Sequence, residues 1–222
     1  LKINDAQELI DLAKKYSVNL MVGHVLLFHP AIIKIKQIIK SGAIGNLQYL
    51  YSNRLNLGQV RTEENVFWSL APHDIAIFQH FTETYPLKIQ ANGSTFLQKG
   101  IADSTLTQLE YKNNIKAHIF VSWLHPFKEH RLVVVGSNGM ISFEDSIEGK
   151  PLKLYSKGII FNNQIPEKVD GSVELIDYEK KMPLTEELSC FIKSFDGGNI
   201  SSVDGFHALE VVKILAEASR QL

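Results

Sequence analysis

The densest gathering of chemically capable side chains lies between Arg61 and Asp74, in RTEENVFWSLAPHD. Arg61, Glu63, Glu64, Asn65, Trp68, Ser69, His73 and Asp74 cluster there around an irregular approach to a helix. Pro72 and His73 would sit in the first helical turn, where the backbone field favours anions and disfavours an imidazolium. A histidine so placed stays neutral, which is the form a general base needs. Asp74 suits the same helix start. Equally, His73 and Asp74 could be capping groups and nothing more.

Three other segments hold candidates. GHVLLFHPA places His24 and His29 just beyond a short apolar run, VNLMVG. Ligands of open α/β sheets bind beyond the carboxyl ends of strands, so both histidines suit a substrate pocket. The bland alternative has His24 bonded to backbone and His29 capping the next helix. In SNRLN, strand alternation puts Ser52, Arg54 and Asn56 on one face and Asn53 and Leu55 on the other. Arg54 and Asn56 could then grip one polyhydroxyl or phosphorylated ligand, since Arg forks onto phosphate well. A solvated sheet face is the competing reading. In SWLHPF, Trp123 and His125 share a face, with packing the favoured role for Trp123.

Other chemistries fail on spacing. Gly136 to Gly139 reads as a hairpin turn and not as a strand-to-helix phosphate cradle. HExxH, CxxC and GxSxG do not occur, and His73 and His80 stand two helical turns apart, so no metal site is expected. Cys190 is the single cysteine, which excludes an intrachain disulfide; flanked by Leu188, Phe191 and Ile192, it reads as a buried structural thiol. A lone cysteine fits a reducing, cytoplasmic setting.

The elements that must position these residues follow from periodicity. NDAQELIDLAKKY is helical, with Asn4 as the candidate N-cap, and Val18 to Gly23 suits a strand buried on both faces. A helix followed by such a strand is the second half of a βαβ unit, so the chain reads as cut inside an α/β domain. Helices are expected over 30–41 and about 72–81, with a long strand in LQYLYSNRLNL between them. A meander follows at 88–95, 104–111, 115–123, 130–135 and 140–143, with a turn at Asn113-Asn114. Residues 149–182 read as short strands and a long loop. Helices at about 184–195, with Thr185 or a neighbour as cap, and 203–221 close the chain. The expected class is α+β, a large, mostly antiparallel open sheet backed by helices, preceded by the last helix and strand of a truncated Rossmann domain.

Composition narrows the partners. The 222 residues carry 23 Lys and Arg against 24 Asp and Glu, a net charge of −1, which excludes nucleic-acid binding by bulk charge. The longest apolar stretch, 20–33, is too short and too polar to span a bilayer.

Taken together, AQELIDLAKKYSVNLMVGHVLLFHPAIIKIKQIIKSGAIG, NRLNLGQVRTEENVFWSLAPHDIAI, HIFVSWLHPFKEHRLVVVGSNGMI and the closing LTEELSCFIKSF and SVDGFHALEVVKILAEAS resemble one family in one order: the glucose–fructose oxidoreductase / inositol dehydrogenase (Gfo/Idh/MocA) proteins. Within it the chain looks most like nucleotide-sugar 3-dehydrogenases. The resemblance implies two domains, an N-terminal dinucleotide-binding domain represented here only by residues 1–25 and a substrate-binding and oligomerisation domain at 26–222. It implies NAD or NADP as cofactor, held mainly by motifs upstream of Leu1. It places the family's DxxxH motif on Ser69 to His73, so that His73 would exchange a proton with a sugar hydroxyl. Ser69 stands where many members have aspartate and cannot be an ionised partner. Substrate-lining segments would fall at His24, His29, Arg54, Asn56, Arg61 and Ser69. The implied protein is a sugar or nucleotide-sugar oxidoreductase, inactive without its cofactor domain, and a homodimer or homotetramer through the open sheet face. A non-catalytic sugar-binding or oligomerisation module on the same fold is the alternative.

Overall fold

A computed structural model describes residues 2–198, 200 and 203–222. Eight strands form one sheet: β1 (Leu47–Leu55), β2 (Lys88–Ser94), β3 (Ser104–Glu110), β4 (Lys116–Ser122), β5 (Glu129–Gly136), β6 (Met140–Glu144), β7 (Leu152–Tyr155) and β10 (Val173–Leu175). Their spatial order is β10-β7-β6-β5-β1-β4-β3-β2. Among the described strands the β1–β4 pair is parallel and the other pairs are antiparallel. The strand β8 (Gly158–Asn162) pairs with β9 (Ile165–Val169) in a separate hairpin. The 149–182 region holds the expected short strands, β7 to β10, followed by a stretch at 176–182 outside any strand or helix.

Turn chemistry sets the register. Asn113 and Asn114 both adopt φ of 59°, the left-handed region that asparagine tolerates, and so join β3 to β4. Gly136 is required for a different reason: a Cβ there would lie 2.1 Å from the Ile44 carbonyl oxygen, so only glycine lets the two backbones meet.

Among the described residues, six α-helices accompany the sheet: α1 (Ile3–Lys15), α2 (Pro30–Lys40), α3 (Val66–Leu70), α4 (Pro72–Thr82), α5 (Pro183–Ser194) and α6 (Gly205–Ser219). The core lies between the helices and one sheet face. Ile32 and Ile35 of α2, Ile75 and Phe78 of α4 and Ile214 of α6 join Leu50, Ile119, Val134 and Ile141 of the strands in one buried cluster. On the opposite sheet face Tyr49, Tyr51, His118 and Phe120 are only half-buried. The Tyr51 and His118 rings stack there with centroids 5.2 Å apart, and the Tyr49 hydroxyl bonds His118 Nδ1.

Several local expectations are corrected. Residues 18–23 make no strand: Met21 forms an isolated bridge to Asp204, and Val18 is 60% exposed. A strand buried on both faces needs neighbours, and among the described residues this segment meets one bridge. Lys2, not Asn4, precedes α1, which starts without a side-chain cap. Helix α5 likewise follows Met182 uncapped, with Thr185 inside the helix. Cys190 is only half-buried, because Leu188 and Ile192 beside it point to the exposed side of α5. The irregular approach to α4 is itself a helix, α3, capped by Asn65 Oδ1 accepting from Trp68 N at 3.1 Å.

Candidate active site around His73

His73 occupies the first turn of α4. Ala71, at the junction with α3, is itself α-helical and accepts the Ile75 N–H at 3.0 Å, the first bond of the helix. Burial lowers the His73 imidazole pKa, the Arg54 guanidinium lowers it further, and Asp74 opposes them. The ring is half-buried, and its Nδ1 is enclosed without a hydrogen-bond partner. A buried polar atom left unbonded is costly, and such atoms mark places where a ligand or a proton completes the site. Among the described residues, Ser69 makes no hydrogen bond to the ring.

Next to it stands His24, 6% exposed, at the head of a short 3₁₀ turn (Val25–Phe28) that packs on α4. Its Nε2 is also unpartnered. Burial, then His207, then His73 bring its pKa down to about 4. His207, in the first turn of α6, meets His24 edge-on with ring centroids 5.4 Å apart. The sequence offered no pointer to His207, because its partner lies on a different element far along the chain. Glu187 of α5 is also new: it is buried beside Gly23, its Oε1 unbonded, and burial raises its carboxyl pKa.

Arg54 lies on the inner face of β1 with Ser52, beneath α4, so the face is covered and not solvated. Its fork grips Asp74: Nε donates to Oδ2 at 2.8 Å and Nη2 to Oδ1 at 3.0 Å. The two side chains are 12% and 3% exposed. Nη1 lies 3.5 Å from His130 Nδ1. Asn56 does not join Arg54; it follows the strand end, where its N–H donates to the Ser122 carbonyl at 3.1 Å. Arg61 stands apart from both, exposed on the wall of an open cleft of about 760 Å³. Glu63, Glu64, Asn65 and Trp68 share that wall, one residue short of Ser69. An indole face amid carboxylate, guanidinium and amide groups suits a polyhydroxyl ligand.

His29 belongs elsewhere. Its Nδ1 accepts the Ala31 N–H at 3.1 Å, capping α2, and its ring packs on Phe143 and Tyr178. It borders a second cleft, of about 440 Å³, with Lys150 and Tyr178. Trp123 is structural: its indole Nε1–H donates to Asp103 at 2.6 Å. Burial alone would raise the Asp103 carboxyl, but the Phe96 and Leu97 N–H groups and that indole outweigh burial and hold it low.

The model of the GFO/IDH/MocA C-terminal domain matches residues 32–142, half of the chain. The chain belongs to this family. It is 22% identical over 162 residues to an uncharacterized oxidoreductase of Streptococcus pneumoniae, a match that takes in 65% of the chain but 43% of that protein's length. Among solved structures, the UDP-N-acetylglucosamine 3-dehydrogenase GnnA from Acidithiobacillus ferrooxidans superposes with a TM-score of 0.83 at 22% identity, covering 100% of this chain and 68% of that one. An Agrobacterium radiobacter oxidoreductase, solved with NAD+, L-tartaric acid and magnesium, does so at 0.76 and 17%, covering 99% and 67%. These likenesses establish the fold, a large open sheet with helices on one side.

Proposed function

We propose that the chain is the substrate-binding and proton-transferring part of an NAD(P)-dependent oxidoreductase that acts on a sugar or nucleotide-sugar hydroxyl. The observation that supports this most directly is His73. A family member carries, at the start of α4, an imidazole held neutral by burial and by Arg54, with a buried nitrogen that nothing in the protein satisfies. A neutral imidazole accepts a hydroxyl proton as the C–H bond is broken, and general base catalysis of this kind is worth about 10²–10⁴-fold. His24 flanks the same point with a second free nitrogen. Trp68 and Arg61 would receive the more distant part of the substrate in the open cleft. The nucleotide-sugar class is suggested by the activity for which the Acidithiobacillus relative is named.

NAD or NADP would supply the hydride acceptor when bound. The unbonded atoms of His73 and His24 fit a reacting centre at this spot, but these residues offer no glycine-rich strand-to-helix turn for a pyrophosphate, so the dinucleotide would be held chiefly by residues outside the sequence given. The half-exposed aromatic sheet face carries the proposed homodimer or homotetramer contact. A cytoplasmic, reducing setting agrees with the single cysteine. The test is turnover by the full-length protein of a panel of UDP-sugars and free sugars, read as reduced nicotinamide. Oxidation of at least one nucleotide-sugar is expected. Binding of the sugars without any reduction of NAD or NADP would favour a non-catalytic module instead.

A further inference from the structure

We propose that Arg54 is a positioning residue for His73: its bidentate grip on Asp74 pins the first turn of α4 to the central strand β1 and so fixes the neighbouring imidazole. This rests on the reading of His73 as the base. The geometry supplies the reasons. Asp74 is next to His73 in the chain and is 2% exposed, so its direction is set by its partner and not by water. Both carboxylate oxygens are taken by one guanidinium, at 2.8 and 3.0 Å, which fixes angle as well as distance. Arg54 in turn sits in the middle of the sheet, paired to Val121 on one side and His130 on the other. Helix α4 is therefore clamped at its first turn to the most constrained strand of the fold.

Such a clamp answers a need created at position 69. Serine there offers no carboxylate to orient the ring, and Ser69 makes no bond to it. Orientation must come from elsewhere, and among the described residues the Arg54–Asp74 fork is the bonded link from the first turn of α4 to the sheet. The fork takes two of the five guanidinium N–H groups, and Nη1 is directed to His130. The groups facing His73 are then Arg54 from β1, Asp74 on its own helix and His24 from the preceding turn, with His207 beyond.

The experiment compares Arg54→Lys, Arg54→Met and the double variant Arg54→Met/Asp74→Asn in the full-length enzyme. Lysine keeps the charge but cannot fork. The double variant buries no lone charge and so keeps the fold if a single one does not. All three are expected to lose roughly tenfold to a hundredfold in kcat, with KM for the sugar within about twofold of wild type. The His73 ring, followed by NMR and assigned by its loss in His73→Ala, is expected to titrate at a higher pH in Arg54→Met, where the guanidinium no longer opposes protonation. Wild-type kcat in the double variant would overturn the proposal. So would a raised KM with unchanged kcat, which would make Arg54 a substrate contact. Should His73→Ala itself leave kcat unchanged, the base assignment falls, and the NMR titration alone still decides whether Arg54 governs the ring.

Discussion

Acid should destabilise this protein before its carboxylates titrate, and His24 allows the size to be worked out. Its imidazole falls from the ordinary 6.5 to about 4 on folding, through burial first and then the neighbouring His207 and His73. Because the folded value is depressed, the unfolded chain takes up the proton first. Stability from His24 is therefore complete above about pH 6.5, declines as pH falls, and is lost by about pH 4. Over the whole window this is about 3 kcal/mol, and between pH 7 and 5 about 2 kcal/mol, a large part of a typical net stability of about 5–15 kcal/mol. His80 and His130 are likewise lowered to about 4, chiefly by burial, and steepen the same decline. The assay is urea unfolding near pH 7 and near pH 5 for wild type and His24→Gln. Glutamine cannot take the proton, so the variant should lose about 2 kcal/mol less than wild type on acidification. Equal losses in the two proteins would refute the reasoning.

Two further outcomes follow from the packing. Asp103→Ala strands the Phe96 and Leu97 N–H groups and the Trp123 indole N–H, and should cost about 2–4 kcal/mol in urea unfolding; a cost below about 1 kcal/mol would contradict the role given to that carboxylate. Sedimentation should find a dimer or tetramer at micromolar concentration and a monomer after Tyr51→Glu, which places a charge amid the half-buried aromatic face; a wild-type monomer would remove the sheet-face contact.

The strands β1 to β6 were legible to within a residue or two because alternation is a local pattern, and each alternating run meets a covered and an open face. The Asn113-Asn114 turn was legible for the same reason, since left-handed φ is a property of the residue. What failed was what depends on distant partners. Residues 18–23 have the composition of a strand, but pairing needs a neighbour that this sequence does not supply to them. Asn4 and Thr185 have capping chemistry, yet both helices begin earlier. Five-residue α3 is too short to show a helical period. At the site, His73 was proposed from its place in the first turn of an apolar helix, and His24 from its place beyond an expected strand that does not form. The partner of Arg54 was not legible: alternation located its face, but only the packing of α4 decides whether that face meets water, ligand or Asp74. The same holds for His207 and Glu187, whose importance lies wholly in what folds against them.

The central claim is that a neutral His73 takes the substrate proton, and kcat of His73→Ala in the full-length protein measures it most directly. The account predicts a fall of about 10²–10⁴-fold with cofactor affinity unchanged. A variant that turns over its sugar at the wild-type rate would contradict it.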